Sequence, residues 1–346
     1  MLRLPDLTNE PEHVMGAPAE TMPDRRTLES AVALASRAPS LHNSQPWRWI
    51  LDTATLRLFS DNDRILPATD PSGRQMVLSC GAALHHLQTA LAAQRWASTI
   101  ERFPLSRDRQ CLATLRFHRL RGSSDTEIRL AAAIHRRRTE RLPMDAPPEW
   151  QRTVAALRKL AERAGAYLDV IGEHERPVLD DMSRRISRVR RADLAYQSEL
   201  RWWTGHAVYP DGVPADTLPA GGRAVATERE FPPGRATGET AAEEDRAAIL
   251  LLSTATDGRP DWLRCGEALS AVLLACTDRG LATCPVTHLT ESAASRGFLR
   301  GLAGSDGVPQ VLIRVGVRPP PRSDTATPRR PLSEILFREH PGAGVG

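Results

Sequence analysis

The chain has 346 residues, 41% of them hydrophobic, which allows two domains or one large α/β unit with a substantial core. Lysine and arginine number 46 against 42 acids, and the net charge of +4 is too small and too scattered to argue for nucleic acid. No stretch approaches 20 apolar residues, so no transmembrane helix is expected, and Cys80, Cys111, Cys265, Cys276 and Cys284, without a C-x-x-C pair, fit reduced, mostly buried thiols in a cytoplasmic protein.

In chain order, residues 1–24 carry acids and prolines but no apolar h-region, so they read as a loose arm and not as a signal peptide. A helix is expected over 28–36, with Leu28, Val32 and Leu34 among alanines. Pro39 stops it, because proline lacks the amide and restrains the residue before it. Polar side chains then crowd together at Ser40, His42, Asn43, Ser44 and Gln45, before Pro46 fixes the exit. Two readings of this loop stand side by side. One is a capped turn whose Ser and Asn satisfy backbone amides; the other is a site that holds polar groups at fixed positions against a flat ligand. Residues 48–51 and 55–59 read as a hairpin turning at Asp52-Thr53, followed by a polar loop over 61–67. A long helix opens at 70–74 and runs through Ala93, with Val77, Ala82, Leu84, Leu87 and Leu91 at helical spacing. His85 and His86 lie in it as surface or packing residues and not as metal ligands. A strand is expected over 111–120.

A helix-rich block begins at Asp125 and carries an arginine run, Arg136 to Arg138 and Arg141, between an apolar helix and Pro143. Such a run is ordinarily a solvated face, but arginines in this place can also meet a phosphate through charge-assisted, bidentate bonds. Helices are expected over 150–164 and 173–204, with a short strand over 166–171 between them. The basic middle of the second helix, 184–191, lacks interleaved aromatics and reads as a solvated face. Residues 205–239 are the least regular part, rich in proline and glycine. A stretch of that length is read as a lid over a site, with plain disorder as its alternative. Then follow a buried-type strand over 249–254 and a helix over 262–279 ended by Gly280. The run 281–288 leads toward a short helix. A strand is expected over 311–317, then a proline- and arginine-rich tail over 319–331 and a short helix over 332–338.

The chain carries an internal repeat. Cys80-Gly81-Ala82-Ala83-Leu84 aligns with Cys265-Gly266-Glu267-Ala268-Leu269 at an offset of 185 residues, and a strand follows each copy. Two similar halves are implied. Where the second copy has Gly280 to Thr287, with its glycine and proline, the first has Gln94-Arg95-Trp96-Ala97-Ser98-Thr99, with neither.

Ala38 to Trp47, Ala-Pro-Ser-x-x-Asn-x-Gln-Pro-Trp, resembles the loop of the flavin-dependent nitroreductase family, and from about residue 27 to about 335 the chain is similar to its long, single-chain, Acg-like actinobacterial branch. The resemblance implies an α+β nitroreductase fold. Each half would have a mostly antiparallel sheet packed by helices, with two long helices at the interface of a tandem pseudo-dimer. The halves would be 25–122 and 123–340, after the arm at 1–24. It also implies FMN as cofactor, NADH or NADPH as electron donor, and a small-molecule electron acceptor. No nucleic acid, membrane or metal would be involved, and the chain would be a monomer or weak homodimer. Ordinary members place two FMN sites at the dimer interface; divergence of the two halves here leaves one complete site and one degenerate. In the complete site, Pro39, Ser40, Leu41 and Asn43 would line one side of the flavin. Arg137, Arg138, Thr139 and Arg141 match the family's Arg-Arg-Ser-type phosphate segment, with Thr in place of Ser. Cys284, Pro285, Val286 and Thr287 would pass along the reactive edge, Arg329 and Arg330 would be the late basic pair at the phosphate, and Arg201 would add a basic contact to the ring. No catalytic side chain is required, because the chemistry is the cofactor's. That agrees with the lack of G-x-S-x-G, H-E-x-x-H, P-loop and G-x-G-x-x-G motifs. The reading is an NAD(P)H-dependent oxidoreductase; its alternative is an FMN-sequestering protein whose lid prevents turnover.

Overall fold

The structure, a computed structural model, describes residues 22–104, 108–204, 210–221, 225–235, 244–318 and 326–339. Most of the predicted arm, parts of the predicted lid and the start of the tail lie outside the described residues.

The first half opens with α1 (Arg25–Ala35), capped by Asp24, whose carboxylate accepts the Thr27 amide at 2.8 Å. The predicted hairpin is β1 (Trp47–Leu51) and β2 (Leu56–Ser60). Then come α2 (Arg74–Ala93), β3 (Trp96–Arg102), β4 (Cys111–Arg119) and α3 (Asp125–Arg136). The second half has α4 (Trp150–Arg163), β5 (Tyr167–Ile171), α5 (Arg176–Arg191), α6 (Leu194–Trp202), β6 (Ala248–Thr254), α7 (Arg259–Asp278), β7 (Ala282–Val286), α8 (Ala293–Leu302) and β8 (Val308–Gly316). The last strand is β9 (Leu336–Arg338).

The sheets run β3-β4-β2-β1-β9 and β5-β6-β8-β7. Set β9 aside and the two orders superimpose, β1-β2-β4-β3 on β5-β6-β8-β7, every pair antiparallel. The repeat read from two short helical segments therefore extends to both sheets. Helices α2 and α7 are each 20 residues long, start at positions 185 apart, and are buried on nearly every face. They cross at their glycines. A Cβ on Gly81 would fall 2.0 Å from the Leu263 carbonyl oxygen, and one on Gly266 would fall 2.0 Å from that of Leu78. Leu78 and Leu263 are themselves 185 apart, so the contact is reciprocal, as at a two-fold axis between subunits. Next to it His85 Nδ1 meets Oγ of Ser270, its own counterpart, at 2.7 Å. Side chains from β1, β2, β3 and α2, including Trp47, Trp49 and Trp96, form one core, and those of α7, β6 and β8 form another.

Three expectations need correction. The single helix over 173–204 is broken, because Asp193 leaves the helix and accepts the Tyr196 amide at 3.0 Å as the cap of α6. Residues 332–338 form a turn and then β9, because the open edge of β1 takes them up in parallel pairing, Trp49 against Leu336. The tail thus belongs to the first sheet, and Ala133 and Ile134 of α3 also pack in the first core, so the halves are not separated by one cut at 122. Residues 96–102 form β3. The run through Pro285 is β7, where proline is tolerated because β7 is the edge of its sheet.

Candidate functional site

The loop after α1 is strained. His42, Asn43 and Gln45 have φ of +49°, +56° and +49°, three left-handed non-glycine residues within four positions. Local bonds hold it: the Gln45 amide donates to Ser40 Oγ at 3.0 Å and the Leu41 amide to Ser79 Oγ on α2 at 3.3 Å. Ser40 thus satisfies a backbone amide as the turn reading has it, whereas the Asn43 side chain does not, and the loop also forms a wall.

That wall borders a cavity of about 110 Å³ between the two halves. Pro39, Ser40, Leu41 and His42 face it from the loop, with Gln75, Leu78 and Ser79 from α2. From the second half come Thr139, Arg141 and the consecutive residues Cys284 to His288. The Glu140 amide donates to the Thr283 carbonyl at 2.9 Å, which ties the segment after α3 to β7 and brings Thr139 to the cavity. Because β7 is an edge strand, its outward backbone groups are not consumed by its own sheet. Glu228, Arg229 and Phe231, from the stretch without regular structure, complete the lining.

At the end of α1 four arginines converge, none of them among the residues that line this cavity, although Arg138 directly precedes Thr139, which does. Arg137 is 5% exposed; its Nη2 donates to the Arg37 carbonyl at 3.2 Å, while Nε and Nη1 have no partner among the described residues. Arg329 Nη2 donates to the same carbonyl at 3.3 Å, and among the described residues neither its Nε nor Arg37 Nε has a partner. Arg138 Nη1 donates to the His135 and Arg137 carbonyls at 2.6 and 2.9 Å. Among the described residues no carboxylate pairs with any of the four. Burial, and then the charges of Arg138 and Arg37, bring the Arg137 guanidinium down to about 10. Arg329 is lowered too, by burial and then by Arg137, Arg37 and Arg138. The carbonyl end of α1 offers partial negative charge, which favours cations there but does not neutralise them. Buried guanidinium nitrogens without acceptors, in a cluster of like charges, describe a seat for a polyvalent anion.

Other predicted residues lie elsewhere. Asn43 is outside the cavity wall; its amide binds Gly212, Pro328 and Arg329. Arg330 is separated from the cluster's role by its own acids: it pairs with Asp61 at 3.4 Å and Glu334 at 3.3 Å and binds the Gln45 carbonyl. Arg201 is exposed on α6 and lines a second cavity of about 390 Å³ against α5, which shares Arg229, Phe231 and His288 with the first. Arg141 faces the first cavity, with its guanidinium 5.4 Å over the Phe231 ring.

Several lining residues carry no sequence signal of their own. Glu228 is buried and pairs with Arg314 of β8, which also holds Asp245. Burial raises the Glu228 carboxyl despite Arg314, and burial pushes the adjacent Cys284 thiol well up, so that thiol stays protonated. Arg229 pairs with Glu291 and with the Tyr196 hydroxyl. His42 packs edge-on to Phe231 with ring centroids 5.8 Å apart; burial, then Arg229 and Arg141, keep it neutral, and its Nε2 has no partner. A histidine at φ +49° inside the polar loop was visible as a residue, but its orientation depends on Phe231, 189 positions away.

The other half differs at the position that corresponds to Thr287. Arg102 stands where Thr287 stands 185 residues later, and it binds Glu267, the counterpart of Ala82, through bonds of 2.8 and 2.6 Å.

No family model matches the chain. It is 45% identical over 327 residues to "Uncharacterized protein Rv3127" of Mycobacterium tuberculosis, across 92% of this chain and 95% of that one. It is 43% identical over 325 residues to "Putative NAD(P)H nitroreductase acg" of the same organism, across 92% and 97%. Among solved structures it is similar to a nitroreductase with bound FMN from Desulfitobacterium hafniense DCB-2, at 12% identity and a TM-score of 0.41, across 61% of this chain and 98% of that one.

Proposed function

Because the chain belongs to the nitroreductase family, in its long Acg-like branch, we propose that it is an oxidoreductase that binds one FMN between its two halves and uses NAD(P)H to reduce a small-molecule acceptor. The observation that carries the reading is the arginine seat. The unpartnered nitrogens of Arg37, Arg137 and Arg329 are donors that the oxygens of a phosphate would satisfy, and a dianion would relieve the repulsion among them. In this assignment Arg137, Arg138 and Arg329 hold the phosphate and Thr139 the ribityl end. Pro39, Ser40 and Leu41 line one side of the ring, and Cys284 to Thr287 run along its reactive edge.

When bound, FMN supplies the redox chemistry, accepting a hydride from NAD(P)H and passing electrons to the acceptor. The protein's part is to bind, orient and exclude water. The edge of β7 offers backbone amides, Arg141 and Arg229 supply positive charge beside the cavity, and Phe231 lines it. The ion pair of Arg102 with Glu267, at the position that corresponds to Thr287, supports one flavin per chain. The α2–α7 contact inside one chain supplies the pseudo-dimer, so a monomer or weak homodimer is proposed.

One observation favours a second reading, an FMN-sequestering protein with little turnover. Glu228, Arg229 and Phe231 enter the cavity wall, and two of them are fixed by buried ion pairs, Glu228 with Arg314 and Arg229 with Glu291, so that the segment would cover a bound flavin. The test is to identify and count the flavin released per chain, then mix the loaded protein anaerobically with NADH or NADPH and follow the flavin absorbance. One FMN and bleaching are expected. Two FMN per chain would refute the single site, and failure to bleach would leave the sequestering reading.

A further inference from the structure

Asn43 lies at the centre of the polar loop yet stays out of the cavity, and its amide is fully committed. Nδ2 donates to the Gly212 carbonyl at 2.9 Å and the Pro328 carbonyl at 3.1 Å, and Oδ1 accepts from Arg329 Nη1 at 3.0 Å. An amide used at both ends has one orientation. Its φ of +56° is one that asparagine tolerates better than most residues.

Arg329 needs such a hold. It lies in a segment without regular structure. Three of its bonds go to Thr327 and Pro328, its own neighbours, and travel with it. Among the described residues, the bonds that fix its guanidinium to the rest of the protein are the one it donates to Asn43 Oδ1 and the longer one, 3.3 Å, to the Arg37 carbonyl. Repulsion from Arg37, Arg137 and Arg138 works against both. Asn43 is a neutral acceptor, so it holds the cation in place without cancelling the charge that an anion would meet.

We infer that Asn43 is a positioning residue that sets Arg329 on the anion seat, so that discrimination of a flavin phosphate from the uncharged alcohol runs through it. This rests on the reading of the arginine seat as the FMN phosphate site. Asn43 itself touches no part of the ligand. Its contribution is spent on the phosphate end alone, and its loss is expected to be invisible to a flavin that lacks a phosphate.

The experiment is an equilibrium titration of the flavin-free full-length protein with FMN and, separately, with riboflavin, followed by flavin fluorescence. The proteins are wild type, Asn43→Gly, Arg329→Met and the double variant; glycine keeps the left-handed backbone free of strain. Wild type is expected to prefer FMN. Asn43→Gly is expected to lose about tenfold in FMN affinity, with riboflavin changed by no more than about twofold. The double variant is expected to bind FMN no more weakly than Arg329→Met alone, because Asn43 acts through Arg329. Asn43→Asp keeps an acceptor for Arg329 but pairs with it, and is expected to lose more FMN affinity than Asn43→Gly, again sparing riboflavin. An equal loss for riboflavin, or losses that add in the double variant, would overturn the assignment while leaving the seat intact. A wild type that binds both flavins equally would overturn the seat itself, and the role of Asn43 with it.

Discussion

Replacing Arg137 by methionine is expected to make the flavin-free protein more stable and the flavin-binding protein worse. Arg137 is 5% exposed, has two nitrogens without a partner, and faces Arg138 and Arg37. Its guanidinium comes down to about 10, from an ordinary value above 12. At about 1.4 kcal/mol per pH unit, this places about 3 kcal/mol against the charged side chain in the empty protein. The sign follows from linkage. A base with a lowered folded value binds its proton less well when folded, so the penalty is complete at neutral pH and lifts only as pH rises through about 10 and beyond. Methionine keeps most of the buried length without the charge. Urea unfolding of the flavin-free Arg137→Met protein at pH 7 is expected to show a gain of about 1–3 kcal/mol, less than the full figure because the packing is not ideal. Titration with FMN is expected to show affinity lower by a factor of order 100, the loss of a charge-assisted bond or two to phosphate. A variant that is less stable when empty and binds FMN as before would refute the reasoning. Arg137 would then be a satisfied structural cation and not part of an anion seat.

Asp70 gives a second test of charge burial. Burial raises its carboxyl to about 6, although it accepts the Met76 amide at 2.9 Å. The folded state therefore holds the proton more tightly, and stability falls as pH rises from about 4 to about 6. Asp70→Asn keeps an acceptor for Met76 and is expected to gain about 2–3 kcal/mol at pH 7 and to flatten that fall, read from urea unfolding across pH. A loss of stability at pH 7 would show the charge to be compensated. At the helix crossing, Gly81→Ala must displace the Leu263 carbonyl, 2.0 Å from the new Cβ, and is expected to cost 3 kcal/mol or more, on the order of severe overpacking. Gly297→Ala, on exposed α8 with nothing within 4 Å of a Cβ, is expected to gain about 0.8 kcal/mol; thermal melts that rank the two the other way would contradict the crossing. Arg314→Met leaves Glu228 and Asp245 buried without their shared cation and is expected to cost about 3–5 kcal/mol. Because Glu228 pins the 225–235 segment, the same variant is expected to be cut faster by protease there; unchanged cleavage would mean that other contacts hold the segment.

Much of the site was legible because its donors are clustered in sequence. The loop Pro39 to Leu41 and the run Cys284 to Thr287 each reach the cavity as short continuous segments; composition left the loop open between a turn and a site, and it was the family resemblance that singled out both segments. The arginine run was visible too, although a run of cations reads the same on a solvated face. What separates the two cases is burial without a carboxylate, and that depends on the end of α1 and on a tail segment 192 residues beyond Arg137. Arg330 shows the limit: next to Arg329 in sequence, it is neutralised by Asp61 and Glu334, neighbours that no local pattern indicates.

By itself, then, the sequence determined the elements whose causes are local: the apolar period of α2 and α7, the stop at Pro39, the hairpin, and the repeat at a spacing of 185. The tertiary structure decided whatever depends on a partner far along the chain. Residues with the pattern of a short helix became β9 because β1 had an open edge to pair with. Asn43 became a tie between segments, not a wall of the cavity, because Gly212, Pro328 and Arg329 came within reach of its amide. A hydrogen bond or an ion pair needs two groups within about 3–4 Å, and only the folded chain specifies which distant groups meet that condition.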